Sequence, residues 1–176
     1  MAFHIALLEA LLPTTVGALA RRCLAKDASL HLVGPLPFAA DDEALRAAGP
    51  GDWEALDWWI HPGWRAFRDA MRRDRCLYFS VDGERDPATA PFKANSVLVI
   101  GNEDGTLPEP IRAKYPDRIY KLPVPPRKKT VDIAASAELL LGLAADGVAR
   151  GTAKRNEAAV EVKPTTLRYG RGRGRT

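Results

Sequence analysis

Apolar residues along this chain form six short runs, separated by stretches in which apolar and polar residues recur at helical spacing. The runs predict buried strands and the stretches between them predict amphipathic helices. The predicted strands span residues 3–8, 30–33, 56–60, 76–81, 97–100 and 118–122, and the predicted helices span 16–26, 41–49, 64–73, 111–114 and 130–148. This alternation predicts an α/β fold with a mostly parallel six-stranded sheet and helices on both faces.

Loops rich in glycine and proline follow three of the predicted strands, at residues 80–83, 101–108 and 122–126. The carboxyl ends of parallel strands meet at one edge of a sheet, and ligands of open α/β sheets bind outside that edge. We therefore expect the three loops to converge. Their exposed backbone N–H and C=O groups predict a site for a small cofactor.

Charge is distributed unevenly along the 176 residues, although the net charge is only +4. Residues 151–176 hold seven basic and two acidic side chains, which leaves nineteen of the 26 basic and twenty of the 22 acidic residues for positions 1–150. With 46% hydrophobic residues, the first part is sufficient for a single core. The sequence therefore predicts one domain at 1–150 and a basic, Arg/Gly-rich, disordered tail at 151–176.

The end of the tail alternates arginine with glycine and includes one tyrosine, Tyr169. Such a composition cannot pack a core but binds RNA through charge and stacking. The candidate RNA-binding residues are Arg168, Arg171, Arg173 and Arg175, together with the basic run Arg127, Lys128 and Lys129 that follows the predicted cofactor edge. The alternative interpretation of both segments is a solvated chain without a partner.

Cys23 and Cys76 lie within apolar runs, without CxxC spacing or a histidine cluster. We therefore expect buried reduced thiols, no metal site and a reducing, cytoplasmic compartment. The apolar residues 2–20 are interrupted by charged residues and proline, and no basic residues precede them, so neither a signal peptide nor a membrane span is expected. The three histidines lie in or beside apolar runs and are interpreted as structural.

Three sequence blocks carry more specific information. The first places Glu9, Pro13, Gly17, Arg21 and Cys23 around the start of the first helix, and is followed by the segment from Gly34 to Gly49. The second reads Gly-x-Glu-x-Gly-x-Leu-Pro from Gly101 to Pro108. The third joins Leu122-Pro123 to the segment from Thr130 to Ser136.

The order of these blocks resembles the SPOUT superfamily of RNA methyltransferases, and most closely the small tRNA 2′-O-methyltransferases that act on the wobble nucleotide. The resemblance covers about residues 3–147. It implies a C-terminal trefoil knot, an exception to the rule against threaded chains. It also implies a homodimer that binds S-adenosylmethionine, with each site built at the subunit interface.

The resemblance also implies roles for individual residues. Cofactor contacts are expected from Ser80, Gly101, Leu122 and Thr130, with Glu103 ordering its loop. Arg21 matches the family arginine that faces the ribose hydroxyl across the dimer, and is the candidate catalytic residue. The alternative interpretations are that Arg21 lies on the solvated flank of a helix and that Glu103 only shapes a turn.

Methyl transfer from a sulfonium to a ribose 2′-hydroxyl needs no metal, because the donor already carries a cationic leaving group. The hydroxyl must lose its proton as the new bond forms. Arg21 is suited to stabilise the developing alkoxide and to orient the neighbouring phosphate, whereas its high intrinsic pKa makes it a poor base.

The leading hypothesis is an S-adenosylmethionine-dependent RNA ribose 2′-O-methyltransferase that acts on tRNA. The alternative is a catalytically inactive SPOUT-like protein that binds RNA or assists ribosome assembly. The alternative is suggested by positions at which the family has asparagine and this chain has Thr15, Ala18, Asp132 and Ala135.

Overall fold

The computed structural model describes residues 2–127 and 130–161, with side chains described as far as residue 151. In this part of the chain six strands form one parallel sheet in the order β3-β2-β1-β5-β4-β6. The strands are β1 (His4–Leu8), β2 (Ser29–Val33), β3 (Trp58–His61), β4 (Cys76–Ser80), β5 (Val97–Ile100) and β6 (Ile119–Lys121). The helices are α1 (Pro13–Ala25), α2 (Glu43–Ala48), α3 (Trp64–Ala70), α4 (Glu109–Lys114) and α5 (Ile133–Glu161). The predicted α/β fold with a six-stranded parallel sheet is confirmed.

The sheet separates two apolar layers, because successive side chains of a strand point to opposite faces. On one face Leu98 joins a core with residues of α1, α2 and α5. On the other face Val99 joins a core with Phe67 of α3 and Ile111 of α4. Helices therefore cover both faces, as predicted, and the strands are buried on both sides as is usual for parallel sheets.

Several helix ends differ from the sequence prediction. Helix α1 begins at Pro13, three residues early, because proline suits the first turn, where its missing N–H is not needed. Helix α3 ends at Ala70 rather than Arg73, because Met71 is extended (φ −109°, ψ 148°) and a short 3₁₀ turn, Arg73–Arg75, leads into β4.

Helix α5 continues to Glu161, so its backbone passes the predicted domain boundary at residue 150. Residues 152–161 lack an apolar stripe but are rich in alanine, lysine, arginine and glutamate, which have high helix propensity. Among the helices described, none has the length and apolar content that a membrane span requires. The division into a domain and a tail stays a prediction, as does the trefoil knot.

Candidate active site

The loops after β4, β5 and β6 meet at the carboxyl edge of the sheet. Gly105 lies at their junction, where an added Cβ would stand 2.7 Å from a methyl group of Val81 and 3.3 Å from one of Leu122. The N–H of Val81 donates to the carbonyl oxygen of Gly105 at 2.9 Å, and the N–H of Leu122 donates to that of Ser80 at 2.8 Å. The predicted convergence of the three loops is therefore confirmed.

Two glycines allow the loop after β5 to fold back on itself. A Cβ at Gly101 would lie 1.9 Å from the carbonyl oxygen of Thr106, so no other residue fits there without moving the loop. Gly105 has φ +72°, a backbone conformation that favours glycine. The loop therefore has glycine at both positions where its backbone requires one. The second of these glycines, Gly105, is displaced along the sequence relative to the motif that the resemblance implies.

Ser80 holds the loops together from a fully buried position. Its hydroxyl donates to the carboxylate of Asp82 and accepts the N–H of Leu107 at 3.3 Å. The hydrogen bond from Ser80, together with Arg112, lowers the pKa of Asp82, although the partial burial of that carboxyl opposes the shift. The Ser80 side chain is therefore engaged inside the loop framework that underlies the site.

Glu103 connects the loop after β5 to the start of α1. Its carboxylate accepts the N–H of Leu11 at 3.0 and 3.1 Å and the N–H of Leu12 at 2.8 Å. The negative charge of Glu103 also interacts favourably with the positive end of the helix dipole of α1. Glu103 thus ties its loop to the start of α1 and does more than shape a local turn.

A cleft of about 340 Å³ opens between the first half of α1 and the beginning of α5. The cleft brings together the predicted residues Glu103 and Thr130. Its remaining lining consists of Thr14, Thr15, Ala18 and residues 131–134. Hydroxyl groups and carboxylates therefore face a space large enough for a small ligand.

Asp132, which replaces a family asparagine, caps helix α5. Its carboxylate accepts the N–H of Ala135 at 3.1 Å, and its carbonyl oxygen accepts the N–H of Ser136 at 2.8 Å. Aspartate and asparagine are about equally effective as N-cap residues. The substitution therefore preserves the local structure on this side of the cleft and adds a negative charge.

Arg21 lies on α1 but does not line the cleft. Its Nε donates to the carbonyl oxygen of Gly49 at 3.0 Å, which directs the exposed side chain toward the end of α2. The neighbouring Arg22 instead forms an ion pair with Glu138 on α5. The two adjacent arginines thus occupy different environments, and Arg21 is not among the residues that line the cleft with Glu103 and Thr130.

Residues 2–142 match the family model described as the SpoU rRNA Methylase family. This match covers well over half of the chain. The chain belongs to the SpoU rRNA methylase family.

A relative and a solved structure are similar to this chain over most of their own length. The tRNA (cytidine(34)-2′-O)-methyltransferase of Methylovorus glucosotrophus is 31% identical over 140 residues, which are 79% of this chain and 91% of the relative. A structure described as giving insights into 2-OH methylation of C/U34 on tRNA superposes with a TM-score of 0.72 at 28% identity, covering 83% of this chain and 90% of that one.

A third similarity concerns the fold alone. The AdoMet-bound rRNA methyltransferase of Sinorhizobium meliloti has a TM-score of 0.66 at 23% identity, over 81% of this chain and 55% of that one. The SpoU fold is therefore shared with methyltransferases of different length.

One of the seven predicted RNA-binding residues of this SpoU protein lies in the described part of the chain. It is Arg127, which is exposed and follows β6. The residues Lys128, Lys129, Arg168, Arg171, Arg173 and Arg175 lie outside the described part of the chain. Within the described residues, no group of three or more His, Cys, Asp or Glu side chains is arranged to hold a metal ion.

Sequence reasoning missed part of the SpoU cleft. Thr14 was not singled out, and Thr15 and Asp132 were noted only as departures from the family. The signals available were a threonine pair beside a helix start and an aspartate three residues before Ala135, which is the spacing of an N-cap.

Proposed function

We propose that this protein transfers a methyl group from S-adenosylmethionine to the ribose 2′-hydroxyl of the wobble nucleotide of tRNA. The activity named for the Methylovorus relative and the subject of the C/U34 structure support this substrate. The observation that carries the proposal is the loop from Gly101 to Leu107, which has glycine where its backbone requires it and is anchored by Glu103, in a chain that belongs to the family.

The residues at the carboxyl edge fit the proposed cofactor. S-adenosylmethionine supplies a methyl group bound to a cationic sulfur. The carboxylates of Glu103 and Asp132 line the cleft and complement a positive charge, while the loops at Gly101 and Leu122 offer backbone groups to an adenosyl moiety. Thr130 contributes a hydroxyl at the rim, and Ser80 supports the loops from beneath.

We further propose that the active protein is a homodimer in which Arg21 serves the site of the other subunit. Apolar side chains just before α1 and on α5 are unusually exposed: Leu11 at 56%, Leu12 at 52% and Leu139 at 42%. A second copy that covered this surface would bury them. Arg21 would then reach a substrate phosphate or ribose through its guanidinium N–H groups.

Two of the four substitutions that suggested an inactive protein, Thr15 and Asp132, keep a polar side chain, whereas Ala18 and Ala135 do not. Thr15 presents a hydroxyl to the cleft where the family has an amide, and Asp132 retains the capping role of an asparagine. A cytoplasmic location is proposed on the basis of the tRNA substrate and of two free, buried thiols, Cys23 and Cys76.

Calorimetric titration of the purified protein with S-adenosylmethionine separates the enzyme from the inactive alternative. We expect saturable binding with one site per subunit. The absence of detectable heat at millimolar cofactor, with the protein folded by circular dichroism, would contradict the enzyme hypothesis and favour an RNA-binding role.

A further inference from the structure

A second pocket lies at the opposite end of the sheet from the proposed cofactor site. It has a volume of about 510 Å³ and opens beside the first residues of β4 and the edge strand β6. Its lining includes four arginines and three tyrosines: Arg68, Arg73, Arg85, Arg118, Tyr78, Tyr115 and Tyr120. The pocket thus concentrates positive charge and aromatic rings in a body that is close to neutral.

The positive charge of this pocket is not neutralised within the described residues. Asp74 is the carboxylate of the lining, and it already pairs with Arg72 and Arg75 at 3.0 and 3.7 Å. No described carboxylate lies within 4.0 Å of the guanidinium groups of Arg73 or Arg118. An anion is therefore the ligand class that the charge favours.

Aromatic rings hold several of the guanidinium groups in place. The Arg68 guanidinium lies 5.5 Å from the centre of the Trp64 ring and 5.8 Å from that of Tyr115, and it donates to the Tyr115 hydroxyl at 2.9 Å. Arg118 also lies over Tyr115, at 6.0 Å, and Arg85 lies 5.1 Å over Tyr120. These cation–π contacts orient the planar groups. One N–H of Arg85 is already used, because its Nη1 donates to the carbonyl oxygen of Asp117 at 2.7 Å.

Arg68 also carries an unused donor. Its Nε is buried and, among the described residues, has no hydrogen-bond partner. A buried N–H without an acceptor is costly, but this nitrogen is sealed from solvent, so an oxygen-rich anion would satisfy it only through a shift of the Arg68 side chain. Guanidinium groups bind phosphate with two parallel hydrogen bonds, and a volume of this size accommodates a nucleotide unit.

We propose that this arginine–tyrosine pocket binds backbone phosphates of the RNA substrate, as a contact separate from the methyl-transfer site. The inference rests on the proposed function for the identity of the anion. A tRNA held at both ends of the sheet would gain affinity and a defined orientation, because phosphate contacts position a nucleic acid without reading its sequence.

Single substitutions of the exposed arginines test the pocket. Arg73→Gln and Arg118→Gln are each compared with Arg65→Gln, which removes one exposed charge from α3 outside the pocket lining. We expect each pocket variant to weaken tRNA binding several-fold and to lower the slope of log affinity against log salt by about 0.9, the change expected when one phosphate is no longer neutralised. The affinity for S-adenosylmethionine should not change.

Other outcomes would overturn the proposal. One is a pocket variant whose tRNA affinity and salt slope equal those of Arg65→Gln. Another is a pocket that is titrated by inorganic phosphate while RNA binding is unchanged, which would assign it to a free anion. Failure of the proposed function is seen separately, as a wild-type protein that methylates no tRNA, and the RNA-binding comparison of the variants still reports on the pocket in that case.

Discussion

Among the described glycines, Gly101 is the one at which an added Cβ would come nearest to another atom. A methyl group there would meet the carbonyl oxygen of Thr106 at 1.9 Å, so Gly101→Ala must displace the loop that anchors Glu103. We expect a decrease of about 1–3 kcal/mol in the free energy of unfolding and loss of cofactor binding. Urea denaturation and calorimetry provide the two measurements.

Gly142→Ala is the matched control for Gly101→Ala, because nothing lies within 4 Å of a Cβ at that helical position. It should be neutral or raise stability by up to about 1 kcal/mol, since alanine favours helix. Equal stability and equal cofactor affinity in the two variants would show that the loop after β5 is not constrained as described.

Arg21 and Arg22 offer a second matched pair at the residue scale. If Arg21 orients the ribose and stabilises the developing alkoxide, Arg21→Ala should lower the rate of methyl transfer by about 10²–10³-fold while cofactor affinity is retained. Arg22→Ala removes an exposed ion pair with Glu138 and should change the rate little. Single-turnover kinetics with tRNA test this, and equal rates for the two variants would remove Arg21 from the mechanism.

Individual residues were predictable from the sequence only where their role is local. The turn at Gly105 is closed by its N–H to the carbonyl oxygen of Asn102, and the cap residue Asp132 accepts the N–H of Ala135, so each of these local signals spans three positions. The hydrogen bonds from Leu11 and Leu12 to Glu103 join residues 92 and 91 positions apart, and no local pattern contains that information. The resemblance supplied the residue Glu103, and the structure supplied its partners.

At the scale of elements, three neighbouring strands are linked by the three histidines of the chain. Nδ1 of His4 on β1 lies 3.0 Å from Nε2 of His31 on β2, and Nδ1 of His31 lies 3.0 Å from Nε2 of His61 on β3. Each contact needs one donor and one acceptor nitrogen, so the chain is satisfied by neutral rings. This supports the interpretation of the histidines as structural.

Burial lowers the pKa of all three histidines, and for His31, with His4 and His61 beside it, to about 3. Asp57 partly opposes the shift at His4. In the unfolded chain these groups titrate near the ordinary value of about 6.5. The folded state therefore binds fewer protons than the unfolded state below that pH, so the stability contribution is complete above it and declines as the pH falls.

We predict that the free energy of unfolding decreases steadily from pH 7 to pH 5, a range above the usual titration of carboxylates. His31→Gln should reduce the slope of the free energy of unfolding against pH by the equivalent of up to about one bound proton, because the group with the largest pKa shift is removed. Urea unfolding at several pH values measures both slopes. A wild-type stability that is flat over this range, or an unchanged slope in the variant, would contradict the proton count.

Strands were predicted more accurately than helix ends. The central residues of each predicted strand form a strand in the structure. Short runs that are apolar on both faces are typical of the strands of a parallel sheet, which are buried on both sides. Helix α5 was predicted to end at Val148 because its apolar stripe ends there, yet the backbone stays helical to Glu161. Apolar periodicity shows which part of a helix is packed against the core. The helix propensity of the following residues can extend the helix beyond that part.

At the scale of the whole molecule, the basic tail is expected to supply affinity for RNA. Ending the chain after Glu161 keeps α5 and removes residues 162–176, which contain five basic and no acidic side chains. We predict weaker tRNA binding, a salt slope smaller by about 0.7–0.9 for each phosphate that the tail neutralises, and unchanged folding stability. A full-length chain in which the five basic residues are changed to glutamine should show the same weaker tRNA binding and smaller salt slope. A salt slope equal to that of the wild type in both variants would show that the tail is inert.

The fold class was accessible from the order of strands and helices, since parallel connections restrict the possible topologies. In the proposed homodimer, the position of Arg21 relative to the cleft depends on how two copies of the chain associate, so no local pattern could predict it. The family resemblance implied that arrangement, and the exposed leucines before α1 and on α5 are consistent with it.

The central claim is transfer of a methyl group to the ribose of nucleotide 34 of tRNA. The most direct test incubates the purified protein with isotope-labelled S-adenosylmethionine and either a tRNA with a natural ribose at that position or the same tRNA with a 2′-deoxyribose there, and locates the label by nuclease digestion and mass spectrometry. We predict one labelled methyl per tRNA, at the 2′-oxygen of nucleotide 34, and none in the deoxy substrate. No label in the natural tRNA, or label that persists in the deoxy substrate, would contradict the claim.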